Sequence, residues 1–211
     1  MINKIKNKLK IKLRNYKISK ISFQEYSDYK NFFIQEDKKS NWESSTFSEI
    51  IEKYLKQNKK LNLVEIGVAR GETAKFTLNR LDSSISTYTG VDPYESNYDS
   101  TDIFSHFNQQ LMDNLYIYVV EKINDPRFNL MRKKSNQAYL EFEDNSIDAI
   151  FIDGNHSYSA VLEDIKNWRS KIKKNGLMIG DDYLTFDGVR KAVEETFRNI
   201  NQVGNTWFVK I

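Results

Sequence analysis

The sequence predicts an α/β domain: a mostly parallel sheet with helices on both faces. Three observations predict it. From Leu61 onward, short apolar runs that read as buried strands alternate with longer stretches of helical periodicity. Several of these runs end in Gly or Asp (Gly67, Asp92, Asp153, Gly180-Asp181-Asp182), and ligands in open α/β sheets bind at strand carboxyl ends. Finally, Asn201–Val203 and Trp207–Ile211 flank Gly204-Asn205-Thr206 and read as a hairpin, which adds an antiparallel edge. Crossovers between the parallel strands are expected to be right-handed.

Each element follows in order. Residues 1–21 place Ile2, Ile5, Leu9, Leu13 and Tyr16 near helical spacing, but Leu9, Ile11 and Leu13 also alternate, so the period is ambiguous. Residues 22–45, rich in Phe, Tyr, Ser and Asn, read as short helices and loops packed on the domain. Thr46-x-x-Glu49 has the capping-box pattern, and Phe47, Ile50, Ile51, Tyr54 and Leu55 give one apolar helical face. Leu63 to Ile66 reads as a strand, Gly67 to Gly71 as a tight turn, and Glu72 to Leu81 as a helix. Ser86 to Val91 is a strand ending at Asp92. Residues 93–103 form a polar, aromatic loop, and Phe104 to Val120 is mostly helix. Phe128 to Met131 is a strand, followed by a helix over 135–140. Strand 147–152, helix 158–172, strand 176–180 and helix 187–199 complete the alternation. Val161, Ile165, Trp168 and Ile172 share one helical face; Val189, Ala192, Val193 and Phe197 share another.

Composition limits the functions open to the chain. With no Cys among 211 residues, disulfides, thiolate zinc sites and Cys nucleophiles are excluded. No apolar run approaches the roughly 18 to 20 residues of a membrane span, and the N-terminus lacks the apolar centre of a secretory signal. A cytoplasmic location is expected. The net charge of +3 hides an asymmetry: residues 1–20 hold eight basic residues and no acid, leaving 24 basic and 29 acidic residues for the rest. A basic arm thus precedes a mildly acidic domain. The plain reading of such an arm is a solvated or loosely packed extension; contact with anionic lipid or glycan is the alternative, and nucleic acid is not expected as a partner. The chain divides into 1–60, a basic arm with a helical extension, and 61–211, the domain that carries the chemistry.

The chemistry concentrates at strand ends. Phe151-Ile152-Asp153-Gly154-Asn155-His156 follows one strand, with Asp148 read as lying near its mouth, and Gly180-Asp181-Asp182 follows another. Neighbouring strands would bring these carboxylates and an imidazole to one crevice. Carboxylates packed together repel, so either some are protonated or a cation sits among them, and hard cations such as Mg²⁺ prefer oxygen ligands. Glu65-Ile66-Gly67-Val68-Ala69-Arg70-Gly71 lets the backbone turn sharply, and Asp92 can accept hydrogen bonds from ribose hydroxyls. The spacing is acid-x-Gly-x-Ala-x-Gly rather than Gly-x-Gly-x-x-Gly, which disfavours a dinucleotide.

That run resembles motif I of class I S-adenosylmethionine-dependent methyltransferases, with Ala69 in place of the usual middle glycine. Gly90-Val91-Asp92-Pro93-Tyr94, Asp153-Gly154-Asn155-His156-Ser157-Tyr158 and Asn175 to Tyr183 extend the resemblance, as does Gly188-Val189-x-x-Ala192-Val193. Together they resemble the branch that holds macrolide and aminocoumarin sugar O-methyltransferases. The resemblance implies a Rossmann-like fold of seven strands in the order 3-2-1-4-5-7-6. It implies S-adenosyl-L-methionine as donor, with Gly67 and Gly71 flanking its methionine part, Asp92 on the ribose, Ser135 beside the adenine and Glu65 orienting the loop. It also implies Mg²⁺ (or Mn²⁺) held by Asp153, Asp181 and Asp182. Either His156 or Asp153 serves as base. His106 has no acid partner at metal spacing and reads as structural.

The expected function is metal-assisted O-methylation of a hydroxyl on a small-molecule or glycan acceptor, by a chain that can form a homo-oligomer. Tyr94 and Tyr98 lie in the 93–103 loop, which can cover the acceptor; packing within the loop is the plain reading of both. A metal-independent methyltransferase and a non-catalytic donor- or glycan-binding subunit are the rivals, and an NAD-dependent enzyme is a distant third.

Overall fold

The computed structural model describes residues 25–40, 45–55, 60–99 and 107–211. The basic arm and His106 lie outside the described residues.

Two helices, α1 (Tyr26–Ser40) and α2 (Thr46–Tyr54), precede the sheet. Then come β1 (Leu61–Ile66), α3 (Glu72–Leu81), β2 (Ile85–Val91), α4 (Gln109–Lys122), β3 (Phe128–Met131) and the short α5 (Ser135–Ala138). The rest is β4 (Ile147–Ile152), α6 (Tyr158–Arg169), β5 (Ile172–Gly180), α7 (Asp187–Thr196), β6 (Asn201–Val203) and β7 (Thr206–Lys210). The seven strands run in the order β3-β2-β1-β4-β5-β7-β6. β7 is antiparallel to β5 and β6, and the remaining pairs are parallel. This is the expected Rossmann-like methyltransferase order, with its terminal hairpin.

Alternation along the strands divides the core in two, because successive side chains leave a strand on opposite faces. Leu63, Ala149, Phe151, Leu177 and Ile179 face α1, α2, α3 and α4, which contribute Tyr29, Phe33, Phe47, Ile50, Leu78 and Leu115. Val64, Ile66, Ile150, Ile152 and Met178 face α5, α6 and α7, which contribute Ala138, Val161, Ile165, Trp168, Val189 and Val193. Segment 25–55 therefore shares the core of the sheet. Among the described residues no helix is long and apolar enough to cross a membrane.

Four local expectations differ from the structure. Residues 26–40 form one helix of 15 residues, where short pieces were expected. The cap of α2 is Ser45, whose Oγ accepts from Ser48 N–H (3.4 Å); Thr46 is already helical, so Thr46-x-x-Glu49 is not the capping box. Ile172 opens β5 and pairs with Ile147, instead of closing α6. Its apolar spacing ran on past the helix end because helix and strand bury side chains in the same core. Asp148 lies at the opposite end of β4 from the mouth, where it accepts from Asn62 N–H (2.8 Å) and Lys173 Nζ (2.7 Å).

Candidate active site

Beyond the strands the backbone ladder continues by one residue. Asp92 N–H donates to Met131 O (3.1 Å), Gly67 to Val91 O (2.9 Å), Asp153 to Ile66 O (2.8 Å) and Asp181 to Ile152 O (3.1 Å). Neighbouring strands lie about 4.8 Å apart, so Asp92, Gly67, Asp153 and Asp181 stand in a row along the carboxyl edge of the sheet. A cavity of about 220 Å³ opens over this row, and its walls include Glu65, Gly67, Asp92, Ser135, Asp153, His156 and Asp182.

At one end the glycine turn and Asp92 hold each other. Asp92 Oδ2 accepts from Val68 N–H (2.9 Å) and Ala69 N–H (3.0 Å), and Oδ1 accepts from Tyr94 N–H (2.8 Å). Burial raises the Asp92 pKa and these amides pull it back, with a net shift upward. Oδ1 retains capacity to accept one more donor. Gly67 has φ +85°, and a Cβ there would sit 2.0 Å from the Asp153 carbonyl oxygen, so the turn depends on glycine. Gly71, at φ +76°, instead closes against α4, where a Cβ would meet Ile123 Cδ1 at 2.7 Å. Buried Glu65 accepts from Tyr88 Oη (2.8 Å), and desolvation pushes its pKa well up. Tyr94 is fully buried and donates to Ala69 O (3.0 Å), so it braces the turn from the cavity wall, as the loop-packing reading expects. Ser135 opens α5, and its Oγ accepts from Trp168 Nε1 (2.7 Å).

At the other end sits a knot of acids around one imidazole. His156 Nδ1 lies 3.0 Å from Asp99 Oδ2, which also accepts from the His156 N–H (2.9 Å). Nε2 faces Asp182 Oδ2 at 3.0 Å and Asp153 Oδ1 at 3.9 Å. The ring stacks on Phe186 with centroids 4.3 Å apart. Ligand atoms of Asp153, His156 and Asp182 all lie within 4.8 Å of one another. Asp181 is turned aside: its Oδ1 accepts from Thr206 Oγ1 (3.0 Å). Asp182 takes a left-handed φ of +61°, and Asn205 Nδ2 donates to its Oδ1 (2.9 Å).

The charges follow from these distances. Burial raises Asp153 to about 7, helped by repulsion from Asp181 and Asp182 and opposed by His156. Burial alone would lower His156, but hydrogen bonds to Asp153, Asp182 and Asp99 outweigh it and push it up to about 12. Asp182 is lowered despite its burial, because the imidazole leans toward it. With no cation among the acids, these contacts favour the protonated imidazole. An imidazole titrating near neutrality, as expected of an isolated His, is not what three surrounding carboxylates permit.

Asp99, Phe186, Asn205, Thr206 and Asp164 are site neighbours that the sequence did not single out. An acid in the loop after Asp92 was the one available signal for Asp99.

The fold and the site together define a Rossmann-like methyltransferase. The chain belongs to the family described as a methyltransferase domain, whose model matches residues 64–183, and it is an S-adenosylmethionine-dependent methyltransferase. No curated protein matches the chain. Among solved structures it is similar to a Corynebacterium glutamicum protein (13% identity, 94% of each chain, TM-score 0.58). It is also similar to the O-methyltransferase NovP (16% identity, 77% of this chain and 76% of that one, TM-score 0.54). A Staphylococcus aureus protein proposed to be a caffeoyl-CoA O-methyltransferase aligns over 98% of each chain (14% identity, TM-score 0.59). At these identities the likeness establishes the fold.

Proposed function

We propose that the chain transfers a methyl group from S-adenosylmethionine to a hydroxyl, assisted by a divalent cation, and that the hydroxyl belongs to a sugar or glycan. The observation that carries this reading is the gathering of Asp153, Asp182 and His156 next to the turn opened by Gly67, within one cavity. The acceptor oxygen attacks the methyl carbon as the carbon–sulfur bond breaks. S-adenosylhomocysteine leaves, and the acceptor proton must go to a base.

Asp92 Oδ1 takes a ribose hydroxyl, while Glu65, Gly67 and Gly71 shape the turn about the methionine part and Ser135 stands by the base. Alignment is the main demand, since the donor is already activated. The residues fit a hard cation: Asp153 and Asp182, with Asp181 next in the chain, offer carboxylate oxygens, and burial together with the charges of Asp181 and Asp182 raises Asp153, a penalty that a cation would relieve. When bound, Mg²⁺ or Mn²⁺ polarises the acceptor hydroxyl and favours its alkoxide form. In its neutral form, which a cation among the acids would favour, His156 would accept the proton at Nε2, with Nδ1 held by Asp99; Asp153 is the other group within reach. The sugar acceptor rests on the Asp-Gly-x-His and Asp-Asp motifs.

Calorimetry with S-adenosylhomocysteine and MgCl₂ tests the site directly. Mg²⁺ binding at pH 8 should release about one proton per ion, as His156 gives up its role as cation. Transfer to glycan hydroxyls should vanish in EDTA. Full activity in chelator removes the metal from the proposal, and NADH binding in place of S-adenosylhomocysteine removes the donor.

A further inference from the structure

Arg70 and Glu72, on either side of Gly71, line the cavity. They belong to a second set of charges that has no part in the transfer chemistry. Two cations and two carboxylates meet there: Arg70, Lys122, Glu72 and Asp37, whose side chains are 10%, 10%, 13% and 20% exposed. Arg70 sits in the glycine turn, Glu72 opens α3, Lys122 ends α4 and Asp37 lies near the end of α1. Lys122 is the hub. Its Nζ donates to the Arg70 carbonyl (3.0 Å), pairs with Asp37 Oδ2 (2.6 Å) and lies 3.7 Å from Glu72 Oε1. Arg70 Nε faces Glu72 Oε1 at 3.1 Å and Asp37 Oδ1 at 3.7 Å. Tyr118 Oη also donates to Asp37 Oδ2 (2.6 Å).

Asp37 is the stronger counter-charge of the two acids. Burial raises the Glu72 pKa, against the pull of Lys122 and Arg70. Burial alone would raise Asp37 as well, but hydrogen bonds from Lys122 and Tyr118 outweigh it and lower its pKa. Removing one partner of a buried pair leaves the other charge uncompensated. Without Asp37, Lys122 would be left to Glu72, and its hold on the Arg70 carbonyl would loosen. That carbonyl shares one rigid peptide plane with the Gly71 N–H, and this N–H closes the turn on Val68 O (2.8 Å). An acid on α1 therefore bears on the backbone of the turn through a single lysine.

We infer that Asp37 is a positioning residue for the donor: acting through Lys122, it holds the Arg70–Gly71 peptide in place, so that docking of α1 and donor binding are linked. The inference rests on the reading of the glycine turn as the donor's and extends it to the helix that precedes the sheet. Linkage is reciprocal, so a bound donor must in turn steady α1.

Calorimetry with S-adenosylhomocysteine on the full chain tests it through a double-mutant cycle. Asp37→Asn, which keeps the shape and removes the charge, should weaken binding by about 5- to 30-fold, and Lys122→Met by a similar factor. The double variant should bind no more weakly than either single one, because a carboxylate that acts through Lys122 has nothing left to act on. Phe33→Leu loosens α1 at its apolar contact with Tyr118, where the ring centroids are 5.2 Å apart; it should lower stability to urea and leave the affinity unchanged. Hydrogen exchange reads the reverse direction. S-adenosylhomocysteine should slow exchange in 26–40 of the wild type more than in the β6–β7 hairpin, and Asp37→Asn should lose that difference. Wild-type exchange that slows equally in both elements overturns the inference without any variant. So do wild-type affinity in Asp37→Asn, additive losses in the double variant, or an equal loss from Phe33→Leu, which would make Asp37 only a brace of the fold. A wild type that does not bind S-adenosylhomocysteine sinks the donor reading instead.

Discussion

At Asp92 the carboxylate is already engaged by three backbone amides, from Val68, Ala69 and Tyr94. At Asp153 and Asp182 the carboxylates face each other across a single imidazole. The first end is preorganised: its charge is met by dipoles that need not move when a ligand arrives. The second is charge-frustrated: carboxylates crowd one imidazole, and protons on His156 and Asp153 relieve it. On the proposed function the two ends should therefore respond differently to change, the Asp92 end through donor affinity and the acid end through turnover.

The sharpest way to break this contrast is His156→Ala. Turnover should fall by about 10²- to 10⁴-fold, the usual loss on removing a general base, while S-adenosylhomocysteine affinity stays the same. Steady-state kinetics beside calorimetry decides it, and equal losses in both would mean the ends are not separate. Gly67→Ala attacks the seam where they touch. Its Cβ would meet the Asp153 carbonyl at 2.0 Å, for about 1–3 kcal/mol of overpacking and ~1–3 kcal/mol more from the left-handed backbone. Urea unfolding should show that loss, and donor affinity and turnover should fall together.

Asp92→Ala comes next. Removing a charged hydrogen-bond partner should cost about 1.5–3 kcal/mol of donor affinity, with turnover at saturating donor little changed. A large drop in turnover would show that the brace on the glycine turn reaches the acid end.

The gentlest effect is a slope. The folded-state pKa of Asp164 is raised from 3.8 to about 7, so the folded chain holds that proton more tightly than the unfolded one. Its contribution to stability is fully present below about pH 4 and is lost as pH rises through 7. Asp164→Asn should remove that part of the slope, at most about 1.4 kcal/mol per pH unit. Urea melts of both proteins between pH 4.5 and 7.5 would show it as a gap that changes steadily with pH. A constant gap would mean that Asp164 does not titrate in this window.

Strands β3 and β4 were legible to the residue because fully or partly buried strands read as short apolar runs. The glycine turn was legible because only glycine tolerates the backbone at Gly67. Asp92, Asp153, Asp181 and Asp182 could be placed at strand ends from their positions in the chain alone. What the sequence determined by itself was therefore the order of elements, the sheet class and the residues at its carboxyl edge, all of which depend on local spacing and backbone sterics. Direction and partnership were decided only by the tertiary structure. It sent Asp148 to the far end of β4 and turned Asp181 toward Thr206. It brought Asp99, 57 positions before His156 in the chain, against the imidazole, and buried Asp164 in the cavity wall. Each of these depends on contacts between segments distant in sequence. Burial and neighbouring charge, which set whether a carboxyl holds its proton, exist only once those segments have packed.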